Sequence, residues 1–125
     1  MDIAIPVSLF PTLSYYTTIL TLLFSLPAVS TGAMELMPAI KRHGFSSQKV
    51  KVGVAHALTN DVALFGTLYN WWSRRNVPGF TPSSQNMLVS VLLSLPAVLL
   101  GAYLGGSLVY QYGMGFQSTR AKKTQ

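Results

Sequence analysis

Three side chains able to hold or pass a proton interrupt long uncharged stretches of this sequence: Glu35, His56 and Asp61. Glu35 precedes Lys41 by six residues and His56 follows Lys51 by five, so on helices both would lie roughly 8–9 Å inside the same charged boundary. A carboxyl and an imidazole at one depth on antiparallel neighbours can form a hydrogen-bonded structural pair, a proton relay, or part of a metal or haem site. Zinc asks for three or four ligands, and only His43, in a loop, could add an imidazole; a bis-histidine haem needs two inward histidines, and the chain supplies one. Glu35 and His56 are therefore expected to form a structural pair within direct or one-water reach. Asp61, ten residues beyond Lys51, comes out about 15 Å deep and about 140° around the helix from His56. That position is expected to face another protein offering a basic or hydroxyl partner; the alternative within the chain is a hydroxyl such as Tyr103 or Ser90. No phosphate-binding glycine loop, dinucleotide fingerprint or nucleophile elbow occurs, and the absence of cysteine excludes disulfides, thiol catalysis and cysteine-ligated metals. The expectation is a non-catalytic chain with no cofactor and no metal.

The elements that must position these groups follow from where charge is missing. Only 10% of the 125 residues are charged, against roughly 25% in a soluble domain, which excludes an ordinary water-soluble globule. Residues 3–34 and 76–119 carry no charge and residues 52–73 carry only Asp61. Each stretch reaches the roughly 20 helical residues needed to cross about 30 Å of hydrocarbon, and in lipid the backbone must satisfy itself as helix. The reading is an all-α membrane protein of three transmembrane helices, over about 12–40, 48–74 and 84–112, in an antiparallel bundle that forms one domain (1–116) followed by a polar basic tail (117–125). Gly44 and a serine are expected to end one helix and cap the next in the first loop; Asn76 to Ser84 reads as a turn with a second serine cap. Lys41, Arg42, Lys49, Lys51, Arg120, Lys122 and Lys123 share one side, and Arg74 and Arg75 the other, so the first side, with the C-terminus, is expected to be cytosolic, or the matrix in a mitochondrion. Tyr15, Tyr16, Tyr69, Trp71 and Trp72 would mark one membrane interface and Tyr110 and Tyr112 the other, with Trp71, Trp72, Arg74 and Arg75 as anchors. The net charge of +6 thus belongs to orientation; no basic amphipathic face suggests nucleic acid, and no cleavable targeting segment is evident.

Helical periodicity puts His56, Thr59, Asn60, Ala63, Gly66, Thr67 and Asn70 on one face of the second helix, opposite Leu58, Val62, Phe65, Leu68, Tyr69 and Trp72. A weaker polar stripe on the first helix runs through Ser14, Thr17, Thr21, Ala28, Thr31 and Glu35. On the third, Ser90, Ser94, Ala97, Gly101 and Gly105 form a small-residue seam, and Ala97, Gly101 and Gly105 are expected to pack closely on a neighbour. Leu23–Ala33 and Leu92–Ala102 match at eight of eleven positions, which suggests a duplicated helical hairpin whose first copy lacks its leading helix.

Leu26-Pro27-Ala28-Val29-Ser30-Thr31-Gly32-Ala33-Met34-Glu35, Ala55-His56-Ala57-Leu58-Thr59-Asn60-Asp61, Asn70-Trp71-Trp72-Ser73-Arg74-Arg75 and the run from Gly101 to Gly115 resemble a family of small four-helix membrane proteins of unknown function, widespread in bacteria. The Asn-Trp-Trp and Glu-Leu-Met-Pro variants look most like its mitochondrial branch, which includes a fungal accessory subunit of respiratory complex I. The resemblance implies a non-catalytic accessory subunit of mitochondrial NADH:ubiquinone oxidoreductase in the inner membrane. Its C-terminus would lie in the matrix, and its partners would be other membrane subunits and phospholipids, with no small-molecule substrate. The family's usual first helix, with a histidine-proline motif, has no counterpart here. The rival reading is a small transporter or proton-conducting protein using Glu35, His56 and Asp61.

Overall fold

The computed structural model describes residues 3–115, and all regular structure among them is helical. A short 3-10 turn, Val7–Leu9, leads into α1, Phe10–His43. Gly44, at φ 71°, ends α1 with its N–H bonded to the Ile40 carbonyl, and Ser47 opens α2, Gln48–Arg74, without a side-chain cap bond. A second 3-10 turn, Pro78–Phe80, precedes the third rod, whose parts are α3 (Ser84–Leu88), a π-helical segment (Val89–Ser94) and α4 (Leu95–Tyr110). The second loop delivers the expected serine cap. Ser83 Oγ accepts from the Asn86 N–H, and Asn86 Oδ1 accepts from the Ser83 N–H at 2.9 Å.

The third rod departs from the single α-helix expected over 84–112. The π segment ends just before Pro96, where a widened turn accommodates the proline ring; proline alone does not impose it, because Pro27 and Pro38 lie inside the unbroken α1. The polar tail, with Arg120, Lys122 and Lys123, lies outside the described residues.

α2 is the central element. Arg74 at its end reaches Pro11 and Ser14 at the start of α1, so these two run in opposite directions. Along the other side Asn70 meets Ser90, Gly66 meets Ser94 and His56 meets Gly101, again in opposite order. α1 and α4 scarcely meet, so both depend on α2 for their packing. Apart from Tyr15 and Leu108, what is buried is small or polar. Ala39, Ala63, Ala97, Gly53, Gly66 and Gly101 are buried beside Asn70, Arg74 and Asn86, and Val50 is the largest fully buried side chain. Phe24, Phe65, Leu92 and Leu99 are each more than 60% exposed. A water-soluble fold would bury such residues, which are worth about 1.5–3 kcal/mol each; here they face the surroundings. Val7–His43 and Pro78–Tyr110, with mean hydropathy 1.5 and 2.2, are long and apolar enough to cross a membrane.

Candidate functional site

The polar face expected on α2 turns toward the third rod and forms a seam of hydrogen bonds. At one end His56 Nδ1 lies 2.8 Å from the Gly101 carbonyl, and its Nε2 accepts from Asn60 Nδ2 at 2.9 Å. An imidazole with one donor and one acceptor nitrogen meets both demands as the neutral Nδ1–H tautomer. Glycines make the approach possible: a Cβ on Gly101 would sit 2.7 Å from Asn60 Oδ1, and one on Gly105 would sit 2.9 Å from His56 Cε1. Gly101 and Gly105 therefore line the surface of α4 that α2 touches, and Ala97, one turn before Gly101, is buried.

This arrangement corrects the expected Glu35–His56 pair. Both ring nitrogens are engaged by Gly101 and Asn60, while Glu35 is exposed on α1 and forms no hydrogen bond or ion pair among the described residues. Counting from the charged boundaries sets depth, but the rotation of α2 about its axis aims His56 at α4 and away from α1. The stripe on α1 likewise does not reach a neighbour along its length. Thr17, Thr21 and Thr31 donate to carbonyls one turn back in their own helix, and among the described residues only Ser14 of this stripe bonds another element.

In the middle of the seam Gly66 presses against Ser94 and Val89, and the Ser94 hydroxyl is buried without a partner among the described residues. Toward the second loop the network closes. Asn70 Nδ2 donates to Ser90 Oγ at 2.9 Å, Ser90 Oγ donates to the Asn86 carbonyl at 2.9 Å, and Asn86 Nδ2 donates to Asn70 Oδ1 at 2.9 Å and to Ser73 Oγ at 2.6 Å. Asn86 thus caps its own helix and ties it to α2. Asn86→Ala should lower the unfolding free energy by about 2–4 kcal/mol, the sum of a lost cap and a stranded partner amide. The loss should read out as a lower thermal midpoint in mild detergent, with an unchanged midpoint sinking the network.

Arg74 departs furthest from expectation. Expected as an outward-facing interface anchor, it is turned into the protein and is 4% exposed. Nε donates to the Phe80 carbonyl at 2.9 Å, Nη1 to Ser14 Oγ at 3.2 Å and Nη2 to the Pro11 carbonyl at 2.8 Å, and the guanidinium carbon stands 5.9 Å from the centre of the Tyr15 ring. Tyr15, expected as an interface aromatic, is buried and stacks on Phe80 with ring centres 4.0 Å apart and planes 2° apart. Phe80 has a φ of 54°, a left-handed conformation that costs a side chain about 1–2 kcal/mol; the stack and the arginine bond hold it there. Neighbouring Arg75 lies over Trp72, 3.2 Å from the ring centre, and Trp72 is exposed while Trp71 is half-buried.

Asp61 is exposed in a groove between α1 and α2 of about 390 Å³, lined by Leu22, Leu26, Val29, Leu64 and Phe65 together with Ser25 and Ser30, whose hydroxyls donate to the Leu22 and Leu26 carbonyls. It forms no hydrogen bond or ion pair among the described residues. Neither candidate within the chain meets it, because Ser90 is bound into the Asn70–Asn86 network and Tyr103 is exposed on α4. Glu35, His56 and Asp61 are thus three separate sites with no hydrogen bond joining them.

Apolar side chains facing outward, polar ones drawn into helix seams and two spans of membrane length define a helical membrane protein. The chain belongs to the family described as predicted membrane protein (DUF2231), whose model matches residues 1–118. No curated protein and no solved structure matches it.

Proposed function

We propose that this chain is a non-catalytic membrane subunit, held in a larger assembly by a helix of another protein that lies in the α1/α2 groove over Asp61. In this reading all three rods span the bilayer. α2, at 27 residues or about 40 Å, is long enough, and its polar residues are turned into the seam. The observation that carries the proposal is Asp61 itself. A carboxyl near the bilayer centre costs about 2.5–3.5 kcal/mol or more unless paired, and its groove is apolar but for Ser25 and Ser30, whose hydroxyls donate to the Leu22 and Leu26 carbonyls of their own helix. A second copy of the chain could bring only a hydroxyl to that depth, since residues 3–34, 52–73 and 76–119 contain no lysine or arginine to neutralise the carboxylate. A different subunit with a basic or hydroxyl group at mid-membrane fits.

The resemblance to the mitochondrial branch of the family, and to the fungal complex I accessory subunit NUXM within it, supports the finer reading: an accessory subunit of mitochondrial NADH:ubiquinone oxidoreductase in the inner membrane, with the seven-charge side toward the matrix. The transporter reading draws less support, because its three ionisable groups lie apart. In native gels of mitochondrial membranes solubilised in mild detergent, the chain is expected to co-migrate with the complex. Asp61→Leu should reduce the co-migrating fraction about tenfold while leaving membrane insertion intact, and Asp61→Asn should fall between them. Quantitative recovery as a free small protein, or full retention of Asp61→Leu, would overturn the proposal.

A further inference from the structure

A second cleft, of about 220 Å³, opens beside the buried arginine, between the first turns of α1 and the α3 end of the third rod. Ser14, Asn70, Arg74 and Asn86 form its polar wall, and Met87 and Val91, both more than half exposed, form its apolar lip. The volume is ample beside the roughly 10–15 Å³ of the same measure that one water requires.

The donors in this wall are not used up. Guanidinium has five N–H groups; three are taken by Phe80, Ser14 and Pro11, which leaves one on each terminal nitrogen. Asn70 Nδ2 spends one hydrogen on Ser90 and keeps one. Ser14 Oγ accepts from Arg74 and makes no donor bond among the described residues, so its hydroxyl hydrogen is also available. The acceptors are already engaged: Asn70 Oδ1 receives from Asn86, and Asn86 Oδ1 receives from Ser83. A full positive charge sits here, more than nine-tenths buried, yet all three of its partners are neutral oxygens. Among the described residues the only acids are Glu35, on the last turns of α1, and Asp61, midway along α2. Arg74 also lies 23 residues beyond Lys51, about 35 Å along the helix, which is the headgroup level of the leaflet opposite the basic loop.

We propose that this cleft is a phosphate-binding site that takes the phosphate of a phospholipid headgroup, with the acyl chains leaving over Met87 and Val91 into the bilayer. Bidentate contact from the guanidinium edge is the geometry arginine offers phosphate. The bound anion neutralises Arg74 at the point where the α1 start, the α2 end and the Pro78–Phe80 turn converge. A free phosphate ion has the same headgroup chemistry, and the test separates the two sources.

The full chain, extracted in mild detergent, is examined by native mass spectrometry after delipidation and reloading with phosphatidylglycerol, with diacylglycerol of the same acyl chains, or with inorganic phosphate. One phosphatidylglycerol per chain should be retained, and at least tenfold less diacylglycerol. Arg74→Gln should lose that preference. Because Arg74 also holds the fold, Met87→Trp serves as the second variant: it narrows the lip without touching the clamp, and should reduce retention about tenfold with the lipid-free thermal midpoint unchanged. Retention of inorganic phosphate at millimolar concentration, with no gain from acyl chains, would support the phosphate site and assign the free ion as its occupant. Equal retention of diacylglycerol and phosphatidylglycerol, or full retention by Met87→Trp, would overturn the proposal.

Discussion

Gly101→Leu should remove most of this protein from the membrane. Gly101 is buried at the closest approach of α4 to α2, and the first carbon of any side chain would meet Asn60 Oδ1 at 2.7 Å. Leucine adds three more carbons in the same direction, toward the imidazole that donates to the Gly101 carbonyl. The helices must separate, and separation strands His56 and Asn60 in an apolar surrounding as well as opening the seam. Inserting even a few methylenes into a packed interior costs about 1–3 kcal/mol, and two unpaired polar groups add about 1–3 kcal/mol each, together enough to exhaust the stability of a small domain. Gly101→Ala should be milder, since Asn60 can shift by a few tenths of an ångström. Steady-state abundance, with thermal unfolding in detergent for whatever accumulates, measures both. Normal abundance of the leucine variant would mean that the α2–α4 contact does not hold the protein together.

Arg74→Ala should also have a large effect, through a different part of the fold. The substitution frees the carbonyls of Pro11 and Phe80 and the Ser14 hydroxyl, all of which accept from the guanidinium. It also releases the left-handed Phe80, whose ring is clamped on Tyr15. Charge-assisted hydrogen bonds contribute about 1.5–3 kcal/mol each, not additively, so a loss of about 3 kcal/mol is expected. The damage should be local in origin: amide exchange in the first two turns of α1 should rise well before that in the His56 region. Arg74→Lys retains the charge but not the fork of donors, and should recover less than half of the loss. If lysine restores the wild-type midpoint, positive charge alone is what this corner requires.

How much of this was legible in the sequence depended on whether a feature is set along the helix axis or around it. Axial features were legible. The long uncharged stretches gave three helices, with α2 falling on Gln48–Arg74 as expected, and the serine at the end of the second loop marked the cap of the third rod; the part Asn86 plays in that cap was not read. The polar face of α2 was readable too, because one helix's own periodicity defines it. Which neighbour that face meets was not. His56 and Glu35 share a depth, yet His56 is turned to Gly101, and Arg74 reads as a surface anchor until the α1 start folds over it. Nor could sequence spacing find the Gly66–Ser94 contact.

The repeat makes the division plainest. Ser25-Leu26-Pro27-Ala28 lies inside an unbroken α1, where Ser25 bonds back to Leu22 and the flanking Phe24 and Leu26 face outward. Ser94-Leu95-Pro96-Ala97, the same four residues, begins on the last residue of a π-helical segment whose Ser90 is bound by Asn70 and whose Ser94 is seated on Gly66. The sequence by itself determined that these segments are helical, apolar and of membrane length, because backbone hydrogen bonding and hydropathy are local. Only the tertiary structure decided how each is wound and rotated, because the side of a helix that becomes interior depends on what α2 offers it: a glycine and an asparagine to the third rod, and an open groove around Asp61 beside α1.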